Sequence, residues 1–314
     1  MDERTADLDP QLAALLREGR VAEVPPWHTM SVAGARRVED EVFSAGEGPA
    51  VAETADRHVD GPGGDLPVRV YWPEAPDDGR LPGLVFCHGG GWVLGTLDSA
   101  DDLCRAFAAR VGAVVVSVDY RLAPEHPFPA AVEDAWAAVA WARESAASLG
   151  IDPDRLGVAG TSAGGGLAAA VGLRARERNV LLAAQVLCYP ILDSGLDTPS
   201  YREHADAALL SRADVAWFWE QYLADPADAD DPLAAPARAG TLADAPPAVV
   251  ATAGHDVLRS EGVAYADRLR ECGVPTSHHH YPSLAHGFLS LTDEVDRAAA
   301  AMREVTAAVR DILE

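Results

Sequence analysis

Lysine is absent from this sequence of 314 residues, and all 25 of its basic residues are arginines. Without lysine, the chain has neither the phosphate-binding lysine of a P-loop nor a lysine amine that forms a Schiff base with a carbonyl substrate. The commonest NTPase and aldolase mechanisms are therefore excluded. The 49 acidic residues give a net charge of −24, which repels phosphate backbones and anionic lipid surfaces. The sequence predicts no nucleic-acid partner and no membrane partner.

Cysteines and long apolar runs are also scarce. The four cysteines, Cys87, Cys104, Cys188 and Cys272, lie in separate segments without a Cys-x-x-Cys pair, so we expect reduced thiols and no zinc site. The longest apolar stretches, such as Val111 to Val118, fall well short of the ~18 residues that suggest a membrane-spanning helix. The acidic amino terminus lacks the positive charge of an export signal. We therefore predict a cytoplasmic protein that uses no metal and no other cofactor.

Strand-like and helix-like segments alternate from about residue 50 onward, which is typical of an α/β protein with a mostly parallel sheet flanked by helices. Continuous apolar runs at 84–87 and 111–118 indicate central strands that are covered on both faces. The polar-apolar alternation of 65–72 predicts an antiparallel strand at the edge of the sheet.

An aromatic helix, Ser211 to Leu223, interrupts this alternation and indicates an insertion over one edge of the sheet. The amino-terminal residues contain two helix-like stretches, around Pro10 to Arg20 and Met30 to Phe43, and no strand signal, so we expect them to join the insertion as a helical cap. The predicted divisions are amino-terminal cap helices at 1–48, a catalytic domain at 49–190 and 246–314, and a cap insertion at 191–245.

The pentapeptide Gly160-Thr161-Ser162-Ala163-Gly164 has the form Gly-x-Ser-x-Gly. It follows the strand-like run Leu156 to Ala159 and opens a helix of small residues. Flanking glycines let a strand turn into a helix so sharply that the serine hydroxyl stands exposed. Ser162 is therefore the candidate nucleophile, and the alternative is an ordinary glycine-rich turn.

A serine nucleophile needs a base, and the base needs a carboxylate that fixes its tautomer. Asp256 follows the predicted strand at 248–253, where the acid of such a triad belongs, and Asp193 is the competitor after the preceding strand. His286 lies in a loop before the last helix, so we take it as the base. The run His278 to His280 lies within a predicted strand, where neighbouring side chains point to opposite faces and do not converge on a metal.

A glycine run follows the central strand that ends at Cys87. Bare glycine backbone lets amide groups approach a tetrahedral intermediate, and each such donor contributes roughly 3 kcal/mol in the transition state. Gly89 and Gly90, together with the amide of Ala163, are the candidate oxyanion hole. The alternative is a flexible turn.

The motifs together resemble the hormone-sensitive-lipase family of α/β-hydrolase esterases. Thr161 precedes the candidate nucleophile, as in the Gly-Thr-Ser-Ala-Gly branch of that family, and Val257 follows the candidate acid. Five segments match in the family's order, namely His88 to Trp92, Asp119 to Ala130, Gly160 to Gly165, Ala216 to Leu223, and His286 to Phe288.

The resemblance implies an α/β-hydrolase fold with a helical cap and the same site residues that the local patterns select. These are the nucleophile Ser162, the acid Asp256, the base His286, and oxyanion amides at Gly89, Gly90 and Ala163.

The predicted activity is hydrolysis of small carboxylic esters with short to medium acyl chains through an acyl-serine, by a monomer or a homodimer. Amide or carbamate hydrolysis by the same triad is an alternative, and a non-catalytic ligand receptor on this fold is another. Aromatic residues near the site are the candidate lining of the substrate pocket. A bulky ring there would close the acyl pocket after a few carbons, which limits the acyl chain to short or medium length. The lining residues are Trp92, Tyr189, Trp217 and Phe218.

Overall fold

The computed structural model describes residues 7–17, 24–42, 48–74 and 79–314. Within these residues, eight strands form one sheet in the order β1-β2-β4-β3-β5-β6-β7-β8. The first two pairs in this order, β1 with β2 and β2 with β4, are antiparallel, and the other pairs are parallel. The strands are β1 (Glu53–Gly61), β2 (Gly64–Trp72), β3 (Leu81–Cys87), β4 (Val114–Val118), β5 (Ile151–Thr161), β6 (Gln185–Cys188), β7 (Ala248–His255) and β8 (Thr276–Ala285).

Helices cover both faces of this sheet, as the alternation predicted. Ten α-helices are present in the described ranges. They are α1 (Pro10–Arg17), α2 (Val32–Val42), α3 (Asp101–Phe107), α4 (Ala130–Glu144), α5 (Ala146–Leu149), α6 (Ala163–Glu177), α7 (Pro199–Glu203), α8 (Arg212–Tyr222), α9 (Arg259–Glu271) and α10 (Asp296–Leu313).

Alternate side chains of the central strands enter two apolar clusters, one on each face of the sheet. On β3, Val85 and Cys87 belong to the cluster that includes residues of α4, α6 and α9, whereas Leu84 and Phe86 belong to the cluster that includes residues of α3 and α10. This alternation follows from the period of two in a strand. Since both faces are buried, the central strands are continuously apolar, and the prediction of a mostly parallel α/β fold is confirmed.

The prediction that residues 65–72 form an edge strand is wrong. The strand is antiparallel, but β1 pairs along its whole length, from Glu53 opposite Trp72 to Gly61 opposite Gly64. Only Val59 of β1 is buried, and the strand is otherwise polar or half-exposed. Because β1 has no apolar face, its sequence carries no alternation that could have revealed it.

The two amino-terminal helices have different neighbours. Helix α1 contacts the body, where the side chain of Gln11 and the backbone of Asp296 on α10 form a hydrogen bond of 2.9 Å. The turn before α2 instead contacts α8, since the backbone N–H of His28 donates to Asp214 at 3.1 Å. The predicted helical stretches extend to Arg20 and Phe43, which lie outside the described residues.

Candidate active site

Ser162 lies at the turn between β5 and α6 with φ of 54° and ψ of −119°. A positive φ is costly for a residue with a side chain and persists where the surroundings fix it. Here the neighbouring segment fixes it through the backbone. The N–H of Ser162 donates to Cys188 O at 2.9 Å, and its carbonyl accepts from Ile191 N at 3.1 Å.

The two flanking glycines are required by close backbone contact. A Cβ on Gly160 would lie 2.1 Å from the carbonyl oxygen of Gly164, and a Cβ on Gly164 would lie 2.0 Å from that of Cys87. Neither oxygen belongs to a flexible side chain, so a methyl group at either position forces the backbone apart. The Gly-x-Ser-x-Gly pattern therefore records the approach of β3 and β5 to the first turn of α6.

Three side chains predicted from the sequence form one hydrogen-bonded chain. The Nε2 atom of His286 lies 3.0 Å from Ser162 Oγ, and its Nδ1 atom lies 2.9 Å from Asp256 Oδ2. The second carboxylate oxygen of Asp256 accepts from the N–H of Leu258 at 2.9 Å, and the side chain is buried. This arrangement orients the imidazole so that Nε2 is able to take the serine proton.

The competing residues have other partners. Asp193 pairs with Arg238 at 2.9 Å and lies outside this chain. His278 and His280 face the same side of β8, and each places a ring nitrogen 2.9 Å from Thr252 Oγ1. In the part of the chain that the structure describes, no group of three or more potential ligands is arranged to hold a metal ion.

The glycine loop that follows β3 lies beside the nucleophile. A Cβ built on Gly89 would lie 3.5 Å from the Cβ of Ser162, and Gly90 has a φ of 101° that disfavours any larger residue. Ala163 is the first residue of α6, where backbone N–H groups have no partner within the helix. The three predicted oxyanion residues therefore border Ser162 from two sides, and the positive end of the α6 dipole favours an anion there.

His88 holds the start of this loop from within the protein. Its ring stacks on Tyr120 at 4.2 Å, and its Nδ1 atom lies 2.8 Å from Gly89 O. Burial lowers the pKa of His88 to about 4, so the ring is neutral at physiological pH. The hydroxyl of Tyr120 donates to His88 O at 2.9 Å. Neither role was apparent from the sequence, because both depend on contacts between separate segments.

The four predicted pocket residues have different surroundings. Tyr189 packs edge-on against His286 with ring centroids 5.0 Å apart, and Phe218 contacts Gly91 so closely that a Cβ there would meet its ring at 2.1 Å. Trp217 is half-buried and contacts Phe218 edge-on at 5.1 Å. All three therefore lie against residues of the site or against each other.

Trp92 lies beneath α8. Its ring stacks on Tyr222 at 4.1 Å and contacts Trp219 at 4.7 Å, and the residue is 1% exposed. The rings of Tyr222 and Trp219 cover the Trp92 ring. Trp92 thus joins the glycine loop to α8 rather than lining an open pocket. Tyr222 and Trp219, which form this contact, were visible in the sequence only as members of an aromatic helix.

A strained serine turn, an imidazole and a buried carboxylate, placed at the ends of a mostly parallel sheet, define an α/β-hydrolase. A family model described as alpha/beta hydrolase fold matches residues 84–290. No helix in the described ranges is long and apolar enough to cross a membrane.

Several known proteins similar to this chain are named as ester hydrolases. Esterase LipI of Mycobacterium tuberculosis is 39% identical over 317 residues, which covers 99% of this chain and 98% of the relative. Ethyl acetate hydrolase of Pseudomonas putida is 36% identical over 323 residues, which covers 98% and 99%. Among solved structures, an ester hydrolase from the Lake Arreo metagenome, complexed with a bipyridine phosphonate derivative, matches with a TM-score of 0.92 and 39% identity. That match covers 97% of this chain and 98% of the other.

The chain belongs to the hormone-sensitive-lipase-like family of α/β-hydrolase esterases, as its motifs predicted. It is an enzyme that hydrolyses carboxylic esters. The two alternatives, amide or carbamate hydrolysis and ligand reception without catalysis, are not favoured by these relatives.

Proposed function

We propose that this enzyme cleaves esters of short to medium acyl chains through an acyl intermediate on Ser162. The observation that carries the proposal is the hydrogen-bonded chain from Asp256 through His286 to Ser162 Oγ, with distances of 2.9 and 3.0 Å. A small-molecule ester is the substrate. The predicted cytoplasmic location, and the monomer or homodimer predicted with it, stay predictions.

In the first half of the reaction, His286 Nε2 accepts the hydroxyl proton while Ser162 Oγ bonds to the ester carbonyl carbon. The carbonyl oxygen becomes an oxyanion, to which the amides of Gly89, Gly90 and Ala163 donate. The intermediate collapses as the imidazolium gives its proton to the leaving oxygen, which departs as an alcohol.

In the second half, a water molecule gives a proton to His286 and attacks the acyl-serine carbonyl. The second tetrahedral intermediate collapses, the proton returns to Ser162 Oγ, and a carboxylic acid leaves. Asp256 accepts from Nδ1–H throughout and stabilises the imidazolium without itself taking the proton. No step uses a metal or another cofactor.

Two observations support the limit on acyl length. Phe218 lies against Gly91 beside the proposed oxyanion hole, and Trp217 packs on Phe218, so bulky rings border this side of the site. The Pseudomonas putida relative is named for ethyl acetate, an ester with a two-carbon acyl group. We therefore expect the ratio kcat/KM to decline from short and medium to long acyl chains.

Hydrolysis of p-nitrophenyl esters of graded acyl length tests the activity, and labelling by an organophosphonate tests the nucleophile. We expect a burst of nitrophenol, inactivation by one equivalent of the phosphonate, a labelled peptide that contains Ser162, and no effect of chelators. A label on another residue, or an activity that survives complete labelling of Ser162, would contradict the proposal.

A further inference from the structure

Helix α2 contacts the glycine loop through the side chain of Arg36. The Nε–H of Arg36 donates to the carbonyl oxygen of Val93 at 2.9 Å. Arg36 therefore joins α2 to the loop that carries the proposed oxyanion amides.

The contact at Val93 is transmitted to Gly90. The N–H of Val93 donates to Gly90 O at 3.1 Å, and the N–H of Leu94 donates to the same oxygen at 2.8 Å. Val93 is thus held through its carbonyl by Arg36 and through its N–H by Gly90. A displacement of Val93 would move the peptide groups next to Gly90.

The remaining guanidinium donors of Arg36 stabilise the same region. Its Nη2 donates to Ala123 O at 2.9 Å, and the N–H of Ala123 donates to Trp92 O at 2.9 Å. Its two terminal nitrogens also pair with the carboxylate of Glu125, at 2.9 and 2.7 Å. The planar fork of arginine meets three acceptors at once, which the single ammonium of a lysine does not reproduce.

We propose that Arg36 is a positioning residue, which holds the glycine loop where its amides meet the oxyanion of the transition state. The proposal rests on the oxyanion role proposed above for Gly89 and Gly90. According to this proposal, helix α2 contributes to the catalytic rate as well as to any covering of the substrate.

A misplaced oxyanion donor weakens binding of the transition state more than binding of the substrate. A positioning error of this kind costs up to roughly 10²-fold in rate. Loss of the Arg36 contacts should therefore lower kcat and leave KM almost unchanged. It should also weaken, by a similar factor, the binding of an inhibitor that forms a tetrahedral adduct with Ser162.

The experiment compares Arg36→Met with Arg37→Met. Arg37 is the next residue of the same helix and is exposed, so its substitution makes the same change of charge without touching the loop. For both variants we would measure kcat and KM for p-nitrophenyl acetate, the Ki of an alkyl boronic acid, and the melting temperature. We expect kcat to fall roughly 10- to 100-fold in Arg36→Met, with a matching rise in the boronic-acid Ki. Arg37→Met should resemble the wild type.

An unchanged kcat in Arg36→Met, a change confined to KM, or a loss of kcat without a change in Ki would overturn the proposal. If Arg36→Met fails to fold, Arg36→Lys and Glu125→Gln replace it. Glu125→Gln leaves the Val93 and Ala123 contacts in place and should lose less kcat than Arg36→Lys, which changes all of the Arg36 contacts. Equal kcat in the two would also overturn the proposal. A wild type that is not labelled at Ser162 would instead refute the proposed function.

Discussion

The nucleophile turn and the helices α2 and α8 meet at the same site, but they are held by different kinds of contact. At the turn, backbone packs on backbone, and a Cβ on Gly164 would lie only 2.0 Å from Cys87 O. At α8 and α2, side chains make the contacts: the ring of Phe218 lies on Gly91, and the guanidinium of Arg36 reaches Val93. Backbone contact tolerates only glycine and so leaves a fixed motif in the sequence. Side-chain contact does not require one residue type at a fixed position, so it leaves no motif in the sequence.

The largest effect is expected from substitutions that remove the proposed catalytic side chains and leave the glycine packing of the turn unchanged. Ser162→Ala and His286→Ala should each lower kcat by at least ~10³-fold, and the double variant should lose little more, because the triad acts as a unit. Single-turnover rates with p-nitrophenyl acetate would measure this. Losses that multiply in the double variant would contradict the assigned roles.

Gly164→Ala tests the backbone contact itself. In an ordinary helix this change stabilises by about 1 kcal/mol, but here the new methyl group would meet the carbonyl oxygens of Cys87 and His88 at 2.0 and 2.3 Å. We expect a destabilisation at or above the upper end of about 1–3 kcal/mol. We also expect a fall in kcat, since those carbonyls begin the glycine loop.

Gly240→Ala is the matched control for this change. A Cβ at Gly240 would have no atom within 4 Å, and the residue does not have a positive φ. Urea denaturation of both variants should show a lowered midpoint for Gly164→Ala alone. Equal midpoints would mean that the turn accommodates a side chain and that the comparison of contacts is wrong.

This difference also explains what the sequence could predict. The nucleophile motif and the central strands were found because close packing and burial on two faces restrict residue type. Strand β1 was missed because it is polar and only Val59 is buried. The contact of Arg36 with Val93 joins residues 57 positions apart. Neither residue type is unusual at its position in the sequence, so this contact is apparent only in the structure.

A smaller effect, on selectivity for acyl-chain length, is expected at α8. Trp217→Ala should leave kcat/KM for acetate esters nearly unchanged and raise it for longer acyl chains, because each additional buried methylene contributes about 0.8 kcal/mol. The profile of kcat/KM against acyl length measures this. Trp141→Ala, on α4, removes an equally large partly buried ring from another part of the molecule and should keep the wild-type profile. An unchanged profile in Trp217→Ala would show that this ring contributes only to the packing of α8.

The smallest effect is expected at Glu261, where the body meets the segment that leads into α8. Its carboxyl oxygens accept from the backbone N–H groups of Leu192 and Asp193 at 3.3 and 3.2 Å. Burial raises the pKa of Glu261 well above its ordinary value of 4.5, and the charges of Asp193 and Asp256 raise it further. The same neighbourhood contains the buried hydroxyl of Tyr201. At Glu261, a side chain binds backbone N–H groups, so this contact combines the side-chain kind with the backbone kind.

A raised pKa means that the folded protein binds the Glu261 proton more tightly than the unfolded chain does. The resulting stabilisation is fully present below the unfolded pKa, and it is lost as pH rises through the folded pKa. Glu261→Gln removes this titration but places an amide donor where one backbone N–H needs an acceptor, at a cost of about 1 kcal/mol. The variant should therefore be less stable than the wild type at about pH 5, and the deficit should shrink toward about pH 8. Urea midpoints across this range measure the difference. A deficit that stays constant with pH would show that Glu261 holds the junction by hydrogen bonding alone, with no contribution from its ionisation.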